Sequence, residues 1–329
     1  MKPLFRTLAI ALPLALPGCG KAQVSAGSAP LTIERTIQLD GVAGRIDHLA
    51  VDLRHRRIFV AELGNGSVDA VDLDSGASHH IGGLKEPQGL AYLPDRDELV
   101  VASGGDGTIR FFNGQSLLPS GVIQLGHDAD NVRVDPVSGL VAVGYGSGAI
   151  AFIDPVRRAV VSTIHLPVHP EGFQLASDRA DLFVNLPDDR SVAVVDRTTG
   201  TIANRLPARH QLNFPLALDP VSHTIAVAYR WPARLVLMDA QSGSVRQDLK
   251  SCGDADDVAF DRARGRIYVV CGSGSATVFQ KGAAGYELLA AVPTRAGART
   301  GLFVAELDRL FVAARANGGK GAALIVLRP

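Results

Sequence analysis

Aromatic residues are scarce in this chain, with 12 Phe, 5 Tyr and one Trp in 329 positions. An excess of either charge is missing too: 33 basic side chains face 33 acidic ones. Without a basic surface for phosphates or a supply of rings for bases, nucleic-acid binding has no support. No apolar run is long enough for a membrane-spanning helix, and beyond the N-terminus no ten-residue stretch keeps a helical period. The sequence has no Cys-x-x-Cys-His haem attachment site and no Gly-x-Ser-x-Gly elbow leading into a helix. Gly104-Gly105-Asp106-Gly107 and Gly144-Tyr145-Gly146-Ser147-Gly148 read as hairpin turns between strands, not phosphate loops. What is plentiful is glycine, 35 residues, and apolar side chains, 47% of the total, enough to bury a large core and to exclude a disordered chain.

At the N-terminus, Lys2 and Arg6 precede an apolar stretch from Leu8 to Leu16, which is interrupted by Pro13 and too short to cross a bilayer. It predicts a signal peptide over residues 1–18. Leu16-Pro17-Gly18-Cys19 resembles the bacterial lipobox, with Pro17 departing from the usual small residue. The resemblance implies that Cys19 becomes the lipidated first residue and holds the protein at a membrane surface without spanning it. Gly20, in place of an aspartate, implies sorting to the outer membrane by likeness to Gram-negative lipoproteins, so the expected location is the cell envelope, facing the periplasm. Plain secretion with cleavage near Ala26 is the alternative. Residues 19–30 are small and polar and read as a tether. The remaining cysteines, Cys252 and Cys271, have two readings in an oxidising compartment: one disulfide or two buried thiols.

The strongest pattern is a repeat. Short apolar segments end at Asp52, Leu93, Asp135, Ala176, Asp219, Asp261 and Ala305, spaced 41, 42, 41, 43, 42 and 44 residues apart. Each leads through a turn into a second β-rich segment such as Ile58-Phe59-Val60-Ala61, Leu182-Phe183-Val184-Asn185 or Ile267-Tyr268-Val269-Val270. A third follows, often ending in aspartate before a Ser-Gly or Thr-Gly turn, and a more polar fourth closes the unit. Four strands per unit without helices predict the blades of a seven-bladed β-propeller over residues 31–329, an all-β fold. The last unit is one strand short, and Leu31 to Leu39, alternating through Ile33, Arg35, Ile37 and Leu39, has no partner of its own. Docked on blade seven, it closes the ring and covers an edge.

Segments such as Ile58-Phe59-Val60-Ala61-Glu62, followed by a Gly or Asp turn and a strand ending in Asp, resemble the YVTN-type β-propeller repeat, the group that includes YncE-like periplasmic proteins and shades into lactonase-like propellers. The resemblance implies the fold across most of the chain and says little about activity, because its motif residues are those that build blades. The YncE-like likeness also raises single-stranded DNA binding, which the charge balance and the low aromatic content oppose.

In a propeller, the residues before each innermost strand meet at one mouth of the central channel. Five positions before each repeat marker stand Asp47, Gln88, Asp130, Glu171, Phe214, Asp256 and Thr300; seven before stand Arg45, Glu86, Asp128, His169, Leu212, Asp254 and Ala298. Converging carboxylates repel, each pair by about 0.5–2 kcal/mol at roughly 8 Å. A hard cation such as Ca²⁺, with Asn131 as a further ligand, would offset that, as would pairing with Arg45, Arg295 and Arg299; alternatively the aspartates cap local turns. His127, His169 and His210, with His48 nearby, form a candidate transition-metal set. Trp231, within Tyr229-Arg230-Trp231, is the candidate recognition anchor.

Three functions follow: a membrane-tethered, monomeric binding or scaffold protein for an envelope protein, peptide or small molecule; a metal-dependent lactonase-like hydrolase using Glu171 or Asp130; and a metal-handling or redox accessory protein using the three histidines. The first asks for the least special chemistry and is the preferred reading, with no catalytic residue assigned.

Overall fold

A computed structural model describes residues 29–329, so the predicted signal peptide, Cys19 and all but the end of the tether lie outside the described residues. Seven four-stranded antiparallel sheets make up the structure, together with a 3-10 turn at Ala305–Leu307. Blades one to six are each built from four consecutive strands, over residues 49–81, 87–124, 132–165, 173–207, 211–250 and 255–293. Blade seven takes Thr300–Val304, Arg309–Ala314 and Ala323–Arg328 from the end of the chain and Thr32–Gln38 from its beginning. The innermost strands lie side by side in sequence order, and that of blade seven meets that of blade one, which closes the ring.

At the seam, Thr36 pairs with Ile325 and Ile37 with Leu324. The expected alternation along this strand is broken by a bulge between Ile33 and Arg35, so that Ile37 is 4% exposed while Ile33 is 51% exposed. Arg309 pairs with Glu34 across the seam, and Arg266 Nη1 donates to the Pro30 carbonyl at 2.9 Å.

Each blade is clasped between two others, and its second strand therefore splits its side chains between two boundaries. Ile58 and Val60 pack toward blade seven, whereas Phe59 and Ala61 pack toward blade two. In blade two, Leu99 and Val101 face back to blade one, and Val100 and Ala102 face blade three. Burial on both faces is the reason these strands read as unbroken apolar runs. The core is accordingly divided into seven layers, one at each blade boundary. Outer strands meet solvent, as the exposed Val160, Val161, Leu288 and Leu289 show.

Aspartates that end first and third strands cap the turns after them. Asp52 Oδ1 accepts from the His55 amide at 3.0 Å, Asp135 Oδ1 from Val137 at 3.0 Å, and Asp239 Oδ1 from Ser242 at 2.8 Å. In the hairpins between second and third strands, Gly107 adopts φ 65°, a conformation costly for any residue with a Cβ. Cys252, in the connection from blade five to blade six, forms a disulfide with Cys271 on the second strand of blade six, with Cα atoms 5.8 Å apart.

Candidate functional site

The innermost strands are short, and the loops that enter them carry polar side chains to one end of the channel. There a cavity of about 660 Å³ opens among Arg45, Asp47, Asp130, Glu171, Arg230, Asp256 and Arg299, and it continues down the channel to Phe260 and Arg262. Six of the seven residues expected five positions before the repeat markers line this cavity; Thr300 does not.

The mouth carboxylates neither cap local turns nor gather on one point. Instead Asp47, Asp130, Asp254 and Asp256 pair with cations from their own or other blades. Arg45 Nη2 donates to Asp47 Oδ2 at 2.7 Å. Arg230, from blade five, binds Asp256 of blade six and donates from Nε to the Ala255 carbonyl at 2.9 Å, with its guanidinium 3.9 Å from the Phe214 ring centre. Arg299 reaches Asp254 at 3.1 Å. His48 Nε2 sits 3.9 Å from Asp47 Oδ1 and 3.5 Å from Asp130 Oδ1, bridging blades one and three. Asp257 Oδ2 accepts the Gly301 amide of blade seven at 2.7 Å.

Burial sets the electrostatics of this ring. It pushes the Glu171 carboxyl up to about 8, with the charges of Asp130 and Asp256 adding to the effect. Asp257 is pushed up to about 7 by burial, although the charge of His48 opposes it. Burial likewise raises Asp47, to about 6, and Asp256. For His48 burial acts downward, but the hydrogen-bonding and charge of Asp130 together with the charge of Asp47 outweigh it and hold the imidazole up at about 10. Asp130, under strong upward pressure from burial, is kept below its ordinary value by His48. Near neutral pH the mouth thus contains an imidazolium among carboxylates, of which Glu171 tends to keep its proton and Asp257 is part-protonated.

One acceptor is left over: Asn131 Oδ1, on a residue 3% exposed, has no hydrogen-bond partner, while the adjacent Asp130 Oδ1, on a residue 9% exposed, is met by His48 Nε2 at 3.5 Å, and both residues line the cavity. Gly89, one blade earlier, allows this crowding: a Cβ there would come within 1.8 Å of the Asp130 carbonyl oxygen.

The other expected site residues are spread more widely. His169 lines the cavity, its Nδ1 2.6 Å from the Gly146 carbonyl and 3.4 Å from Asp128 Oδ2. His210 pairs with Asp248 at 2.8 Å. Among the described residues, the clusters with metal-ligand spacing include neither these two nor His127, so the structure does not bring the three histidines together. The carboxylates expected to surround Ca²⁺ are likewise absent from those clusters, because arginines and His48 stand between them. Arg295 donates to the Gly321 carbonyl at 2.5 Å and takes no part in the ring. Trp231 is 67% exposed on the rim, and its neighbour Arg230 is the side chain that enters the cavity. Asp257 and Arg133, both lining the channel, were not singled out by the repeat positions. A charge in the middle of the apolar strand Val132–Val134 was the available signal for Arg133.

No family model matches the chain, and no curated protein matches it. Solved structures do. A chain of the mitotic checkpoint complex superposes with a TM-score of 0.77 at 17% identity, covering 99% of each chain. A chain of Kuenenia stuttgartiensis hydrazine synthase gives 0.76 at 18% identity over 88% of this chain and 99% of its own. The RRP9 WD40 repeats give 0.75 at 14% identity over 89% of this chain and 97% of theirs. At these identities the likeness concerns the fold, and together with the strand order it defines the protein as a seven-bladed β-propeller.

Proposed function

We propose that the protein is an extracytoplasmic binding propeller of the YVTN type, tethered to the outer membrane through Cys19 and facing the periplasm. Its channel mouth takes a peptide or envelope component that offers a hydrogen-bond donor, foremost a protonated amine. The observation that carries this reading is the unpartnered acceptor Asn131 Oδ1 next to the carboxylate of Asp130, which His48 Nε2 approaches only to 3.5 Å, on residues lining a polar cavity. Buried acceptors without partners cost free energy that a ligand's donors recover. Arg45 and Arg299, part-exposed at the rim, suit acidic groups flanking that donor. A protein partner agrees with the neighbours in fold, one of which belongs to the mitotic checkpoint complex.

The test uses the exported chain and short synthetic peptides with a free or an acetylated N-terminal amine, followed by calorimetry and by the emission of Trp231. Binding that needs the free amine and is lost in Asp130→Asn supports the proposal. Absence of binding, or binding indifferent to that substitution, overturns it.

Hydrolysis is a second reading, favoured by one observation. Glu171, raised to about 8 inside the cavity, holds a proton it can exchange near neutrality, as a general acid or base requires. A lactone substrate cleaved by the wild type and not by Glu171→Gln would support it; equal rates in the two would exclude it.

A further inference from the structure

A second group of ionisable side chains lies on the flank of blade one, away from the channel. Glu62 ends the second strand of that blade, Arg57–Glu62, and Asp69 lies in the third, Ser67–Asp72. They are 0% and 2% exposed. His80, on the outer strand Ser78–Ile81, is registered opposite Asp69, and half of its side chain is open to solvent. Its Nδ1 lies 2.9 Å from Asp69 Oδ1 and 4.0 Å from Glu62 Oε2. One ligand atom from each of the three residues falls within 4.8 Å of the other two.

Glu62 Oε2 accepts a hydrogen bond from Ser67 Oγ at 2.5 Å, but Glu62 Oε1 is buried without any partner. Asp69 and His80 border a surface cavity of about 420 Å³, which gives the group a route to solvent. Two carboxylates buried side by side repel by about 4 kcal/mol at roughly 4 Å and an effective dielectric of 20, and a single imidazole at one of them leaves the other uncompensated. A cation among the three would offset both charges and, on a turn of the Glu62 carboxylate, take up its orphaned oxygen as well.

We propose that Glu62, Asp69 and His80 bind a divalent transition cation, Zn²⁺ in the first place, with a further position open to water on the cavity side. The donor set fits: one imidazole and two carboxylates match Zn²⁺, whereas Ca²⁺ requires six to eight oxygens. Ligand atoms around tetrahedral zinc, bonded at about 2.0–2.1 Å, stand about 3.3 Å apart, and the observed 2.9 and 4.0 Å bracket that spacing. His80 is the one ligand at the surface and the one with room to rotate. Once bound, the metal pins the outer strand of blade one to the strands behind it and stabilises the fold in proportion to its occupancy.

The experiment takes the exported full chain, expressed without a histidine tag and stripped with EDTA, and titrates it with ZnCl₂ by calorimetry, with Mn²⁺ and Ca²⁺ in parallel. One equivalent of Zn²⁺ per chain, a raised melting temperature and little response to Ca²⁺ are expected. His80→Ala lowers Zn²⁺ affinity at least tenfold, and Asp69→Asn does the same, each variant being compared with its own metal-free melting temperature. The neighbouring His79→Ala leaves it unchanged. Failure to take up Zn²⁺, or uptake unaltered by both His80→Ala and Asp69→Asn, overturns the proposal. Neither result bears on amine binding at the mouth, since no residue is shared.

Discussion

His48 of blade one reaches past blade two to stand 3.5 Å from Asp130 of blade three. It can do so because the intervening position is Gly89, whose lack of a side chain lets the inner strands of blades two and three come together. The relationship orders the whole mouth: one imidazolium, held charged at about 10, serves two buried carboxylates at once.

Stability should therefore fall as pH rises above neutrality. The folded-state value of His48 lies near 10, above an unfolded value of about 6.5, so its contribution is complete below 6.5 and disappears as pH climbs to 10. Glu171 and Asp257 act in the same direction, losing their folded-state protons near 8 and 7. Melting temperatures recorded between pH 6 and 10 should decline for the wild type and more shallowly for His48→Gln; parallel curves would show that His48 is not charged in the fold.

Gly89→Ala should be severe for so small a change. Its Cβ would meet the Asp130 carbonyl oxygen at 1.8 Å, forcing two inner strands apart. A loss of about 1–3 kcal/mol in denaturant unfolding is expected, together with loss of mouth binding. Gly139→Ala, where a Cβ meets nothing within 4 Å but φ is 71°, serves as a control for backbone strain alone.

Phe111 and Trp231 should behave as opposites. Phe111 is fully buried between blades two and three, and Phe111→Ala should cost about 3–5 kcal/mol. Trp231 is 67% exposed, and Trp231→Ala should fall within about 0.5 kcal/mol of the wild type. Urea titrations of the two variants compare them directly.

Reduction of the Cys252–Cys271 bridge, or the double serine variant, should lower stability by about 3 kcal/mol through release of a loop 19 residues long. Melting with and without dithiothreitol reads this, and no shift would mean that the bridge does not form.

Much of the ring was legible in advance. A repeat of about 42 residues and the missing outer strand of the last unit together imply seven blades and a closed circle. Strands clasped on both faces carry apolar runs, and such runs survive in composition. The mouth was only half legible, for a geometrical reason. Counting back from the repeat markers finds residues that share a height in the channel, and so found Asp47, Asp130, Glu171 and Asp256. It cannot find partners that arrive from another strand, such as Arg230 from the second strand of blade five, or those one residue farther along, such as Asp257. The histidines misled because a loop residue's offset says nothing about its direction: His210 turns outward to Asp248. Glu62, Asp69 and His80 belong to three successive strands of one blade, and only their lateral register brings them together.

The seam of blade seven joins Thr32–Gln38 to Ala323–Arg328, the first strand of the propeller to be synthesised and the last. A chain emerging N-terminus first must keep its opening strand waiting while six sectors assemble, and can lock the circle only when its final residues arrive. Any nascent or clipped form lacking either end would display the naked border of Arg309–Ala314 or Ala323–Arg328, which invites pairing with another copy. The integrity of the ring thus reduces to whether its first and last strands have met.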